Sequence, residues 1–413
     1  MLTRRVLFGI AGAALVAPGT TLTAQAKRAG SRRPVRLRFP RPTGPFPVGT
    51  TELHLVQAGR PDPYRPERTR ELMVSVWYPA SRAAPAAPYL PPLTAALYAE
   101  GAAIALQQPA DTVDWAGARA HAGLAAPISR SWGKRPVVIF SPGFGVPRGL
   151  GSIMVTELAS RGYVVVTVDH TYEVAGVEFP GGRLEVQTLP TGSYAKLARD
   201  ARVADVRFVL DSLQQFAQGN NPDAGGRQLP NGLGDILDLQ RIGAYGHSAG
   251  GITAADVMDV DHRVKAGIDL DGTLGYGYTD ADPAPVVRHG LDRPFLLMGA
   301  GNTASGGGPQ THLTEKSWGR FWDNSTGWKR DLNVPLGGHY TFIDHQALIP
   351  WFGRFFPVPP TLIANTIGSV DPERIHRSLN AYLPGFFDQH LRGIPQRLWQ
   401  GESPRHPDVR FIA

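Results

Sequence analysis

The sequence predicts an α/β fold in which helices cover both faces of a mostly parallel central sheet that carries a cap-like insertion. From residue 136 onward, short apolar runs typical of buried strands alternate with segments whose apolar residues recur at helical spacing. Such an alternation favours parallel strands joined by right-handed crossovers. The expected strands are 136–140, 163–168, 241–245, 264–270 and 294–298, and the expected helices are 152–160, 200–216, 250–258 and 371–391.

The segment before this alternation has a different character. Apolar and polar residues alternate in 51–57 and 71–78, which predicts an antiparallel pair of strands, and the Pro- and Arg-rich residues 58–70 are expected to form the loop between them. Residues 80–135 have little strand character and predict a surface insertion with one amphipathic helix at 93–106. We therefore expect residues 45–413 to form a single domain that contains this insertion.

The N-terminus has the pattern of an export signal. Arg4 and Arg5 precede an apolar run at 6–16, and small residues at 24–26 supply a plausible cleavage point. The paired arginines favour a twin-arginine signal over a general secretion signal, so residues 1–26 predict a secreted or extracytoplasmic protein. Residues 27–44 are basic and rich in Pro, which predicts an unstructured arm.

Composition and charge exclude several function classes. The 413 residues include no Cys, which excludes a thiol nucleophile and a disulfide scaffold. The net charge of +7 lies in the first 41 residues, which hold nine Lys and Arg and no acid, so nucleic acid is not expected as a partner. Asp280, Asp282 and Asp292 lack the spacing of a calcium loop, and the glycines lack dinucleotide-binding spacing. We expect no metal, no cofactor and no obligate protein partner.

One motif predicts a nucleophile. The sequence Gly-His-Ser-Ala-Gly at 246–250 follows an expected strand and opens an expected helix. A serine at such a sharp strand-to-helix turn needs small neighbours because the backbone is crowded there. We interpret Ser248 as the nucleophile, and the alternative is a structural turn serine.

A serine hydroxyl needs an adjacent base, and chain order narrows the choice among the histidines. The base is expected after the last strands, where His339 lies in a loop flanked by glycines. His345 and His312 are the competing candidates. His170, which follows an expected strand, is a candidate either for lining the pocket or for a structural role.

The third member expected of such a site is a carboxylate that orients the imidazole. In this sequence it departs from its usual position after the penultimate strand. No carboxylate follows the strand at 294–298, whereas the preceding strand ends with Asp269 and Asp271. Asp271 lies at the carboxyl end, where the active sites of open parallel sheets form, so it is preferred over Asp269 as the partner of the imidazole.

A tetrahedral intermediate formed by attack of a serine nucleophile needs backbone N–H donors. Ala249 follows the proposed nucleophile at a helix N-terminus and is expected to supply one donor. Phe144, between two glycines in the loop after the strand at 136–140, is expected to supply the second. The alternative for this loop is an ordinary glycine-rich turn.

These motifs resemble the plasma and intracellular type II platelet-activating-factor acetylhydrolases, and the resemblance covers residues 51–392. It rests on 140–145, 158–166, Asp169-His170, 246–251, Leu270-Asp271 and the spacing of His339, Phe342 and Asp344. The resemblance implies an α/β-hydrolase fold, a triad of Ser248, Asp271 and His339, and an oxyanion hole formed by the N–H groups of Phe144 and Ala249. It also implies calcium-independent hydrolysis of short sn-2 acyl esters of phospholipids.

Two departures from this family affect the expected substrate. Pro142 stands where animal members carry a His, and the insertion at 80–135 is additional. We therefore keep a triacylglycerol lipase, a carboxylesterase or a polyester hydrolase with the same triad as alternatives. A binding protein without activity and a lipid-surface module that uses the basic arm are the remaining hypotheses.

Overall fold

A large mixed sheet organises the chain. The computed structural model describes residues 33–191, 194–276, 283–302 and 308–413. Its strands are β1 (Val35–Arg36), β2 (Val48–Pro61), β3 (Thr69–Pro79), β4 (Ala86–Pro88), β5 (Val113–Asp114), β6 (Arg119–Leu124), β7 (Arg135–Ser141), β8 (Val164–Asp169), β9 (Gly176–Phe179), β10 (Arg183–Val186), β11 (Leu237–His247), β12 (Val264–Leu270), β13 (Phe295–Asn302), β14 (Lys329–Gly338) and β15 (Arg410–Ile412).

Eleven of these strands form one sheet in the order β15-β14-β13-β12-β11-β7-β8-β3-β2-β6-β4. The six strands from β14 to β8 run parallel, whereas β3 and β2 form an antiparallel pair beside them. The carboxyl ends of β7, β11, β12 and β14 therefore meet at one edge of the sheet. This edge is where ligands bind in open parallel sheets.

Helices cover both faces of the sheet, as expected for parallel strands that are buried on both sides. The helices are α1 (Pro92–Leu106), α2 (Ser152–Ser160), α3 (Ala195–Ala217), α4 (Ala249–Val260), α5 (Pro285–His289), α6 (Lys316–Asn324), α7 (His345–Phe352), α8 (Pro360–Thr366) and α9 (Pro372–Arg392). The core on one face includes side chains of α3, α4, α5 and α6, and the core on the other includes those of α2 and α9. In the described part of the chain, no helix has the length and apolarity needed to cross a membrane.

The predicted α/β fold is confirmed, and the insertion is more integrated than expected. Within residues 80–135, β6 pairs with β2, and β4 pairs with β6 at the end of the sheet. The helix expected at 93–106 is α1, and its apolar side chains form a third core with those of α7, including Tyr98 and Phe352. The pairing of these short strands depends on distant partners, which local sequence patterns do not reveal.

Two further expectations are corrected. The loop expected at 58–70 is shorter, because β2 extends to Pro61 and β3 begins at Thr69. Residues 33–44 of the basic arm are packed on the domain: β1 pairs with β5, and Trp351 donates a hydrogen bond to the carbonyl of Arg36. Residues 1–32, including the expected export signal, and also Asp280 and Asp282 lie outside the described residues.

Candidate active site

Ser248 lies in a strained turn between β11 and α4. Its backbone φ is +56°, a left-handed conformation that side-chain-bearing residues rarely adopt. The turn is held on both sides: the Ser248 N–H donates to the Leu270 carbonyl on β12, and the Ser248 carbonyl accepts from Gly251. These two hydrogen bonds hold Ser248 at the carboxyl edge of the sheet.

The glycines of the motif are required by close approach of neighbouring backbone. A Cβ on Gly250 would lie 1.8 Å from the Ser141 carbonyl oxygen, and a Cβ on Gly246 would lie 2.4 Å from the same atom. Real Cβ contacts are never this short, so the end of β7 can lie against the start of α4 only because these two positions carry no side chain.

His339 and Asp271 are joined by a hydrogen bond. His339 follows β14, and its Nδ1 lies 2.5 Å from Asp271 Oδ2. Asp271 lies just after β12, and its other oxygen accepts the Ala300 N–H at 2.7 Å. The carboxyl group is fully buried and His339 is nearly so, so this pair is held in one orientation. Such a contact fixes the tautomer of an imidazole and leaves its Nε2 for proton transfer.

His247, which sequence reasoning treated only as part of the serine motif, also contacts the base. Its Nε2 lies 2.7 Å from the backbone carbonyl of His339, and the two rings are 4.5 Å apart. Burial and the charge of His339 lower the pKa of His247 well below its ordinary value. His247 is therefore neutral and donates its Nε2 hydrogen to the carbonyl. This bond connects the serine turn directly to the segment that carries the imidazole.

Asp269 has a different environment from Asp271. Its Oδ1 accepts the Gly272 N–H at 2.8 Å. Burial and the nearby charge of Asp271 raise the pKa of Asp269 well above its usual range. Asp269 is thus a buried neutral acid that supports the turn after β12, and the structure pairs His339 with Asp271.

The other candidate histidines have separate partners. His345 is buried with its Nε2 3.1 Å from the Tyr98 hydroxyl, and burial lowers its pKa to about 4. His312 Nδ1 lies 2.7 Å from Asp331. His170 is fully buried and lies 2.9 Å from Asp205. Burial and the charge of Arg202 lower the pKa of His170, so it is a neutral member of a buried polar network.

The loop after β7 contacts the serine turn. A turn closes when the Val146 N–H donates to the Gly143 carbonyl, and Gly145 has φ of +76°. A Cβ on Gly143 would lie 3.0 Å from His247 Nδ1, which places this loop against the serine motif. Phe144 is partly exposed, and its ring stacks on Tyr194 at 5.4 Å. The two residues expected to supply oxyanion donors, Phe144 and Ala249, therefore lie on segments that touch.

The known proteins to which this chain is similar are named as esterases or acetylhydrolases. Residues 33–179 match the family described as platelet-activating factor acetylhydrolase, isoform II. A probable 1-alkyl-2-acetylglycerophosphocholine esterase of Arthroderma benhamiae is 28% identical over 96% of this chain and 100% of that protein. The platelet-activating factor acetylhydrolase of Cavia porcellus is 26% identical over 56% of this chain and 55% of its own length.

A solved structure has higher identity. The ferulic acid esterase of Streptomyces cinnamoneus is 38% identical to this chain and covers 90% of it and 98% of its own chain, with a TM-score of 0.71. The chain belongs to the platelet-activating factor acetylhydrolase isoform II family. It has the α/β-hydrolase fold and is a carboxylic ester hydrolase.

Sequence reasoning missed Arg202 in this acetylhydrolase-family site, and it named Asp344 only for its spacing from His339, without a role. Arg202, which is 1% exposed, donates to the Pro142 carbonyl at 2.8 Å and pairs with the buried Glu173. Asp344 accepts the N–H groups of Ser152 and Ile153 at the start of α2. The sequence signal that could have revealed Arg202 was an arginine among the apolar positions of α3. The role of Asp344 depends on a contact across nearly 200 residues of sequence, which has no local signal.

No group of three or more His, Asp or Glu side chains among the described residues is arranged to hold a metal ion. The charged groups of this acetylhydrolase-family site instead pair with one another and with the backbone.

The close approach at Gly250 generates a test. Gly250→Ala is expected to lower the free energy of unfolding by roughly 1–3 kcal/mol, because the new Cβ would displace the Ser141 carbonyl. It should also reduce esterase turnover, because the displacement changes the serine turn. Denaturant unfolding and initial rates measure both effects. Gly353→Ala is the matched control, since its φ is −57° and its nearest neighbouring atom is 3.5 Å from the new Cβ. Equal stability of the two variants would contradict the crowding argument.

Proposed function

We propose that this chain is an exported, calcium-independent serine ester hydrolase that cleaves short sn-2 acyl esters of phospholipids through an acyl-enzyme. The observation that carries the proposal is the 2.5 Å hydrogen bond between His339 and Asp271 at the sheet edge that also bears the strained turn at Ser248. The relatives named as acetylglycerophosphocholine esterase and platelet-activating factor acetylhydrolase support the substrate class.

In the proposed mechanism, the Ser248 hydroxyl attacks the ester carbonyl while His339 Nε2 accepts its proton. Asp271 accepts the Nδ1 hydrogen of His339 and stabilises the imidazolium that forms. The N–H groups of Phe144 and Ala249 stabilise the negative oxygen, and Ala249 begins a twelve-residue helix whose N-terminus favours negative charge.

Collapse of the intermediate transfers the proton from His339 to the departing alcohol, which leaves the acyl group on Ser248. Water then attacks the acyl-enzyme while His339 accepts a proton from it. Collapse of this second intermediate breaks the bond to Ser248, whose oxygen takes the proton back from His339 as the carboxylic acid is released. Arg202 supports this step by holding the Pro142 carbonyl, because this contact fixes the loop that presents Phe144.

Asp269, near the end of β12, and Asp271, just after it, provide a matched test. Asp271→Asn is expected to lower kcat on an acetyl ester by about 10³- to 10⁴-fold, since the amide would favour the wrong tautomer of His339. Asp269→Asn should cost less than about tenfold, because Asp269 is already neutral and the amide oxygen can still accept the Gly272 N–H. Ser248→Ala should lose about 10⁶-fold.

Wild-type rates should be unchanged by EDTA, which tests calcium independence. An equal effect of the two Asp substitutions, or retained activity in Ser248→Ala, would contradict the proposed triad.

Export is proposed from the leader at 1–26, which contains Arg4 and Arg5 ahead of an apolar run. Expression of the full chain in a bacterium with a twin-arginine system should give mature protein outside the cytoplasm. Its N-terminal sequence should begin after Ala26, and Arg4→Lys with Arg5→Lys should block export. Full-length protein that stays in the cytoplasm would contradict this proposal.

A second candidate is an ester of an aromatic acid. The ring of Phe144, in the proposed oxyanion loop, stacks on the ring of Tyr194, and both side chains are partly exposed. The 38% identical neighbour is named as a ferulic acid esterase. Ring stacking contributes about 0.5–1.5 kcal/mol, so an aromatic acyl group would gain a few-fold in binding here.

The substitution Tyr194→Ala separates these two candidates. If aromatic esters are the substrate, it should lower kcat/KM on a hydroxycinnamate ester by about 2- to 10-fold, whereas Tyr194→Phe should retain activity. On acetylated phospholipid, Tyr194→Ala should change kcat/KM little. Equal losses on both substrates would argue against an aromatic acyl site. A panel of both esters with tributyrin then identifies the preferred class.

A further inference from the structure

A cavity lies behind the turn that carries His339. Its volume is about 430 Å³, within the range of small-molecule sites. The turn residues Thr341 and Phe342, helix α7, the start of α9 and the segment Arg38–Pro40 line it. Ser248, Asp271 and His339 do not line it, so this cavity is distinct from the candidate active site.

The floor of the cavity is largely apolar, and among its described buried polar side chains the Gln346 amide is the one without a hydrogen-bond partner. Ile153, Met154, Phe342 and Leu379 are buried side chains on this floor. Gln346 also lines it and is 4% exposed, yet neither its Nε2 nor its Oε1 has a hydrogen-bond partner among the described residues. Leaving a buried polar group without a partner costs free energy, so this amide is suited to a group that both donates and accepts, such as a hydroxyl.

The rim of the cavity is positively charged. Arg38, Arg354 and Arg377 are exposed lining residues, and within the described ranges none of them forms an ion pair. The guanidinium groups of Arg38 and Arg354 lie 5.9 and 5.1 Å from the ring centre of Trp351. Such cations bind carboxylates in a defined geometry.

The other titratable groups that line the cavity leave the net charge of its rim positive. Among the described lining residues, Glu373 is the one exposed acid, and the buried Asp344 already accepts hydrogen bonds from Ser152, Ile153 and Tyr89. Burial lowers the pKa of His376, which keeps this lining residue neutral near pH 7. Three cations thus face one exposed carboxylate.

We propose that this cavity binds a hydroxylated monocarboxylic acid, with its carboxylate at the arginine rim, its apolar body on the floor and its hydroxyl on the Gln346 amide. The site is independent of the proposed catalytic function. A bound acid would pack against Thr341 and Phe342, which belong to the same short helical turn as His339. A ligand bound in this cavity would therefore contact the turn that orients the imidazole of His339.

The test is calorimetric binding to the full-length protein with two pairs of acids, 4-hydroxycinnamate against cinnamate and 8-hydroxyoctanoate against octanoate. In the wild type, at least one hydroxylated acid should bind about 3- to 10-fold more tightly than its partner. Gln346→Met, which preserves the side-chain length, should remove this preference while retaining binding of the acid without a hydroxyl.

Arg354→Gln combined with Arg377→Gln should weaken every acid by about tenfold or more and reduce the salt dependence of binding. Arg405→Gln, at an exposed site outside the cavity lining, is the matched control and should leave binding unchanged. The arginine variants also test the site if Gln346→Met does not fold.

Binding should persist after a fluorophosphonate has blocked the active-site serine. The proposal is overturned if neither pair shows a hydroxyl preference, if the preference survives Gln346→Met, or if the fluorophosphonate abolishes binding. Because the assay requires no turnover, its failure is distinguishable from failure of the proposed esterase mechanism.

Discussion

The close packing of backbone around Ser248 is the constraint on which the site depends. The serine is held at φ of +56° because its N–H and carbonyl are both engaged, and because Gly250 and Gly246 let the end of β7 approach the start of α4. A left-handed residue costs of order 1–3 kcal/mol, so the surrounding sheet must over-determine this conformation. The same approach brings the loop after β7 beside the helix N-terminus.

Buried polar contacts extend this constraint to the rest of the edge. His247 connects the serine turn to the backbone of His339, while Arg202 connects α3 to the loop that carries Phe144. Each contact uses a neutral imidazole or a paired cation, because an isolated buried charge is costly. The active edge is therefore fixed by side chains that need not take part in the reaction.

The central strands could be predicted from the sequence, because buried parallel strands and the helices that connect them have strong periodic patterns. Strand β12 and helix α2 have the predicted bounds, and the contact between His339 and Asp271 follows from where their strands end. The pairing of β6 with β2 and the packing of residues 33–44 were not predictable, since they depend on partners far away in the sequence. For the same reason, the sequence could not reveal that the buried amide of Gln346 has no hydrogen-bond partner among the described residues.

The central claim is that Ser248 carries the acyl group during turnover, and trapping that intermediate tests it most directly. The enzyme should be mixed with excess activated acetyl ester, quenched in acid within one turnover and mapped by peptide mass spectrometry. The account predicts acetylation of the peptide that contains Ser248, appearing before steady-state acid release. Turnover with no acylated serine, or with the acetyl group on another residue, would contradict it.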